Sequence, residues 1–271
     1  MDAVARAAIP DRKRWSGLAV VLEQELRDLW VGGRGLALSL AFSVLLSVIA
    51  YLVATNTALN FLEQRESVNL TLQVAVAVGA LLALLTGADA ISGERERGTL
   101  ESLLVTPVGR VDVAVAKLLS AFSLWVAAFA ITVPYVWFLG RGVGITGDAL
   151  AAGLVVGTLL AVFLASLGII VSVFSTSNRV SLSVSLFALL ALFAPTQLPS
   201  SAQQGWAGEL LLRVNPITAG EHYIGKIVVS AHVWSEDASW LISPIVAAIV
   251  SAVLAPALGA RFIRLRGGGS R

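Results

Sequence analysis

The sequence predicts an all-α, polytopic membrane protein with six transmembrane helices and both termini in the cytoplasm. Three observations carry this expectation. First, six uncharged hydrophobic stretches run at 36–54, 68–88, 118–139, 149–178, 180–208 and 238–260. Each can cross a hydrocarbon core of about 30 Å, which takes about 20 apolar residues at 1.5 Å per residue. Second, the 271 residues are 57% hydrophobic and 13% charged, with a mean hydropathy of +0.84. That composition leaves no room for a soluble nucleotide-binding domain, which needs roughly 150–200 residues of mixed polarity. Third, the basic residues are sided. With both termini inside, residues 1–35, 89–117, 175–179 and 261–271 hold 15 of the 19 Lys and Arg, against Arg65, Arg141, Arg213 and Lys226 outside. This is a strong positive-inside bias.

The chain therefore reads as a single transmembrane domain, 1–271, placed in the cell membrane with the lipid bilayer as its main solvent. Basic groups such as Arg12-Lys13-Arg14 lack interleaved aromatics, so they suit anionic headgroups and not nucleic acid. There is no cysteine, hence no disulfide framework. The first hydrophobic run starts behind a charged segment and is followed by no Ala-x-Ala cleavage site, which speaks against a removable signal peptide.

Before the first span, residues 15–33 form an amphipathic, interfacial helix. Trp15, Leu18, Leu22, Leu26 and Leu29 share one arc, and Trp15 and Trp30 bracket it at the level where aromatic rings settle in membranes. Glu25 sits inside the apolar arc. Two placements fit it equally: a contact with a partner or with the 94–110 segment, and a carboxylate snorkelling to water. In span one, Ser39, Ser43 and Ser47 recur at i,i+4. In span four, Gly153 and Gly157 precede Ala161 and Ala165. Both are faces suited to close helix packing.

Between spans five and six, the outer segment 199–237 holds two short helices broken at Asn215-Pro216, because proline lacks the donor that would continue a helix. Gly220 to Lys226 matches phosphate-loop spacing as far as its lysine. Ile227 stands where the magnesium-binding hydroxyl belongs, and Glu221 would repel phosphate, so the match is rejected. His222 and His232 lie in the same segment as solvated loop residues, and no metal site is expected. Residues 261–271 form a cytoplasmic tail.

The segment 92–110 is the most informative. Glu94 to Arg97 close span two in a burst of charge, Gly98 breaks the helix, and Thr99 is placed to cap a new one. Leu100, Leu103 and Leu104 make an i, i+3, i+4 apolar knob, with Glu101 opposite. Pro107 and Gly109 end it, and Arg110 and Lys117 lead into span three with stems able to snorkel. The pattern by itself fits two placements equally well: insertion into a groove of a cytosolic partner, or an interfacial turn packed on lipid.

The string Glu94-x-Glu96-x-Gly98-Thr99-Leu100-Glu101-x-Leu103-Leu104-x-x-Pro107-x-x-Arg110 resembles the signature of ABC type-2 transporter permeases. It is most similar to the permease of nitrous oxide reductase maturation systems and its short relatives. Glu25 to Leu29 and Leu212-x-x-Asn215-Pro216 extend the resemblance along nearly the whole chain. The resemblance implies an ABC type-2 exporter-like fold and a permease that forms a homodimer, or a heterodimer with a related chain. It also implies two copies of a separate cytosolic ATPase. ATP and magnesium would belong to that partner, with no cofactor and no catalytic residue in this chain. The segment 94–110 would be the coupling segment, with Leu100, Leu103 and Leu104 docking and Glu94, Glu96, Glu101 and Arg110 as polar contacts. Without cysteine, and with Met1 the only methionine, the chain lacks soft ligands for passing copper. The competing classes are an ion-coupled carrier or channel and a non-transporting anchor that relays ATPase force. The carrier is disfavoured because no span centre holds a carboxylate.

Overall fold

The computed structural model describes residues 17–55, 61–99, 108–142, 144–197 and 205–262. Among the described residues the chain forms ten α-helices and no strand. Six helices are long and apolar enough to cross a membrane: Arg34–Ala54, Glu63–Asp89, Arg110–Gly140, Thr146–Phe174, Asn178–Gln197 and Ala238–Phe262. In chain order the elements are α1 (Gly17–Trp30), α2 (Arg34–Ala54), α3 (Phe61–Asp89), α4 (Ser92–Arg97) and α5 (Arg110–Gly140). There follow α6 (Thr146–Phe174), α7 (Asn178–Phe193), α8 (Trp206–Val214), α9 (Pro216–Val228) and α10 (Ile242–Phe262).

Helices α3, α5 and α6 make the centre, and α2, α7 and α10 stand around it with more of their surface exposed. The tightest contact joins α3 to α6. A Cβ on Gly168 would lie 2.4 Å from the Leu84 carbonyl oxygen, and one on Gly87 would lie 2.4 Å from the Ala165 carbonyl oxygen. The two backbones touch there, and only hydrogen fits between them. The Gly153 and Gly157 face receives side chains instead. Cβ atoms there would meet Leu72 at 2.5 Å and Trp125 at 2.1 Å. Trp125 is 2% exposed, and its indole Nε1 donates to Thr158 Oγ1 at 3.1 Å. The serine stripe of α2 also meets a neighbour, because Tyr135 Oη of α5 lies 2.7 Å from Ser47 Oγ and 3.3 Å from Ser43 Oγ.

Two boundaries differ from the hydrophobic runs. The run 180–208 is not one helix: α7 ends at Phe193 and tightens into a 3-10 turn over Ala194–Gln197, and Trp206 starts α8. Pro195, inside the turn, has no N–H to continue an α-helical ladder. The third span begins at Arg110, well before 118, because Gly109 is extended and α5 carries Asp112 in its first turn, where the helix dipole favours an anion.

Helices α8 and α9 divide at Asn215-Pro216. The Asn215 side chain accepts from the amides of Ile217 (2.9 Å) and Thr218 (3.4 Å), and Pro216 occupies the first turn, where its missing donor costs nothing. The same side chain donates to the Leu192 carbonyl at 2.7 Å, tying this break to α7. Ile217, Tyr223, Ile224 and Ile227 of α9 are buried in the central core. The residues Gly220 to Lys226 are helical, so their amides cannot cradle a phosphate.

Candidate functional site

Where α3 ends, the chain turns at Ala90–Ile91 and runs into the six-residue helix α4, a charged segment with partners on every side. Gly98, at φ 72°, takes the left-handed conformation that ends α4, and Thr99 N donates back to the Glu94 carbonyl at 3.0 Å. With Gly98 N bonded to the Arg95 carbonyl, this is a Schellman closure, which satisfies carbonyls a helix end leaves bare. Thr99 Oγ1 points to the same Glu94 carbonyl at 3.4 Å. The turn that Thr99 is expected to cap lies outside the described residues. So do Leu100, Glu101, Leu103, Leu104 and Pro107 of the knob, Trp15 of the first helix, and the tail beyond Phe262.

Glu94, Arg95 and Glu96 of α4 are each committed to a different helix. Lys117 Nζ of α5 donates to Glu94 Oε1 at 2.5 Å and to Glu25 Oε1 of α1 at 2.7 Å. Glu96 Oε2 accepts from the Asn178 amide at 2.9 Å, a carboxylate on the positive N-terminal end of α7. Arg95 donates to the carbonyls of Ser175 and, at 3.3 Å, Val173, neutralising the negative C-terminal end of α6. Ser172 Oγ accepts from the amides of Ile91 (3.1 Å) and Ser92 (2.8 Å), so a single hydroxyl seats the α3–α4 turn on α6. Asp89 is paired with Arg34 at the start of α2, and Arg97 Nη1 stands 3.8 Å from the same carboxylate.

These groups surround a cavity of about 310 Å³ lined by Glu25, Arg34, Asp89, Glu94, Arg97 and Lys117. Burial pushes the Glu94 carboxyl above its ordinary range, with Glu25 adding to the effect and Lys117 opposing it. Glu94 Oε2 is buried without a hydrogen-bond partner among the described residues.

The structure resolves the two placements open for Glu25. It does not snorkel; it reaches α4 through Lys117. Lys117 departs from expectation too, since its side chain is 2% exposed. Snorkelling needs open water above the stem, and here α1 lies across α5 and closes that route. Trp30 turns inward, its Nε1 donating to Ser123 Oγ of α5 at 3.1 Å. Arg110 is exposed at the first position of α5. The pairs Arg34–Asp89 and Arg95–Ser175 and the Ser172 seat were not expected. The one hint in the sequence was that Arg34, Asp89 and Glu94 all fall at span ends on the basic-rich side. At the other end, His232 Nδ1 is 2.7 Å from Asp237 Oδ2, and His222 stacks on Trp240 at 4.0 Å. Among the described residues no group of three His, Cys, Asp or Glu could hold a metal ion.

Comparison with known proteins agrees with this architecture. The model of the ABC-2 family transporter proteins matches residues 19–263. Over 104 residues the chain is 36% identical to a probable ABC transporter permease protein, NosY, of Stutzerimonas stutzeri. That match spans 38% of this chain and 36% of the relative's length. The chain belongs to the ABC-2 family of transporter proteins, as a multi-pass permease component in the cell membrane.

Proposed function

We propose that this permease is the membrane half of an ATP-driven exporter, with the α4 junction as the place where force enters. In this reading both termini and α4 face the cytoplasm. Two copies of a soluble ATPase dock on the 94–110 segment through Leu100, Leu103 and Leu104, and a second permease copy or a related chain completes the pathway. ATP and magnesium stay on the ATPase.

One observation carries the reading: α4 is bonded to α5, α6 and α7 at once, through Glu94, Arg95 and Glu96, and the Lys117 that holds Glu94 also holds Glu25 of α1. A push on the adjoining segment would thus move the bundle as a unit rather than flex a loop. Alternating access by rocking bundles needs such a lever. The short, charge-assisted bonds are of the stronger kind.

Leu103→Asp or Leu104→Asp should abolish co-purification of the ATPase while membrane insertion and yield stay unchanged. An ATPase that still co-purifies at wild-type stoichiometry would refute the docking assignment.

A further inference from the structure

The end of the bundle away from α4 holds a second polar cavity, of about 370 Å³, between α3, α8 and α9. Gln73, Glu221, His222 and Lys226 supply much of its polar lining, and Leu212 and Val229 apolar wall. On α3, Gln73 precedes Asp89 by 16 residues, about 24 Å of helix. With Asp89 at one boundary of a core about 30 Å thick, the cavity lies close to the other boundary.

Several of its hydrogen-bonding groups are already used. Gln73 Nε2 donates to Asn69 Oδ1 at 3.3 Å and to the Glu221 carbonyl at 3.2 Å. The hydroxyl of Thr218 donates to the Leu212 carbonyl at 2.8 Å, and that of Thr196 to the Phe193 carbonyl at 2.7 Å. Two charges are not used. Neither the Glu221 carboxylate nor the Lys226 ammonium has a hydrogen-bond or ion-pair partner among the described residues.

Nor do they meet each other, since five residues along a helix turn them about 140° apart. Burial alone pushes the Glu221 carboxyl up to about 7, with no counter-charge to pull it back. The Lys226 charge is felt by His222, whose imidazole is held below its ordinary pKa first by burial and then by Lys226. The basic side of the cavity continues to Arg65, which donates to the Val229 carbonyl at 3.3 Å. The lining is thus acidic on one side and basic on the other.

We propose that this cavity binds a zwitterionic ammonium–phosphate group, the ammonium on Glu221 and the phosphate on the Lys226 side. Glu221 repels a bare phosphate and Lys226 repels a bare amine; a dipolar molecule answers both charges at once. The free carbonyl oxygen of the Gln73 amide is a second acceptor for the ammonium. The chemistry is that of phosphoethanolamine, carried either by a phospholipid at the membrane boundary or by the free head group. The inference is independent of the ATPase and of the α4 junction.

The test uses the purified full chain in detergent, with native mass spectrometry to count bound molecules. The probes are dioleoyl phosphatidylethanolamine, dioleoyl phosphatidylglycerol and soluble glycerophosphoethanolamine. Phosphatidylethanolamine should bind at least about tenfold more tightly than phosphatidylglycerol. Glu221→Gln, nearly isosteric, should lose that preference without weakening phosphatidylglycerol, and Lys226→Gln should weaken both. Binding of the soluble probe with the same Glu221 dependence identifies a free zwitterion as the ligand; binding of the acylated probe alone identifies the lipid. Equal affinity for the two lipids, or a Glu221→Gln protein that keeps the preference, overturns the proposal. Circular dichroism of both variants guards against misfolding.

Discussion

Lys117 is the residue on which the inner junction turns. A buried ammonium costs several kcal/mol to desolvate, and two carboxylates within 2.7 Å offset that cost. Removing the cation alone would leave Glu25 and Glu94 facing each other across a buried gap. Lys117→Met should therefore destabilise the detergent-solubilised chain by about 3–5 kcal/mol. The triple change Glu25→Gln, Lys117→Met, Glu94→Gln should recover most of the loss, because an uncharged set has no unpaired ion to bury. Thermal unfolding of the single and triple variants measures both; a single variant as stable as wild type would remove Lys117 from this role. The sequence showed Glu25 on the wrong face of an amphipathic helix, which marked it as unusual. It did not show Lys117 as the answer, because the two are 92 positions apart and no local period links them.

At the scale of elements, the packing of α6 was legible where it depends on small residues and hidden where it depends on their partners. Gly153 and Gly157 announce a close approach, but only the structure shows Trp125 filling the space above Gly157. Gly157→Val should cost about 1–3 kcal/mol through overpacking, since the indole is held against this stretch of α6 by its bond to Thr158. Trp125→Ala in the same chain should relieve part of that cost. Additive losses in a four-way comparison of melting curves would show that the two positions do not share one space. The break at Asn215-Pro216 is a local matter of donors and caps and could be placed from sequence. The end of α7 is local too, and Pro195 was its signal; hydrophobicity continuing past the proline concealed it.

For the molecule as a whole, sidedness is the property on which force transfer depends. The absence of cysteine makes it directly measurable. Single cysteines at Thr176, exposed near the α4 junction, and at Ser235, exposed at the far end, give two reporters. A membrane-impermeant maleimide should label Ser235→Cys in intact cells and Thr176→Cys only after permeabilisation. The opposite pattern would place α4 outside and end the coupling proposal.

The amino-acid order by itself determined six helical crossings, the small-residue faces and the Asn215-Pro216 break. Hydrophobic length, periodicity and backbone donors are properties of short segments, and lipid enforces them one helix at a time. Only the tertiary structure decided that α4 is bonded to α5, α6 and α7, that Lys117 is buried between two carboxylates, and that Glu221 and Lys226 face a common cavity. The first two outcomes are contacts of charged groups across distant segments, and the third depends on which elements close around α9. A lone charge near a membrane can be satisfied by water, headgroups or protein, and packing alone selects among them.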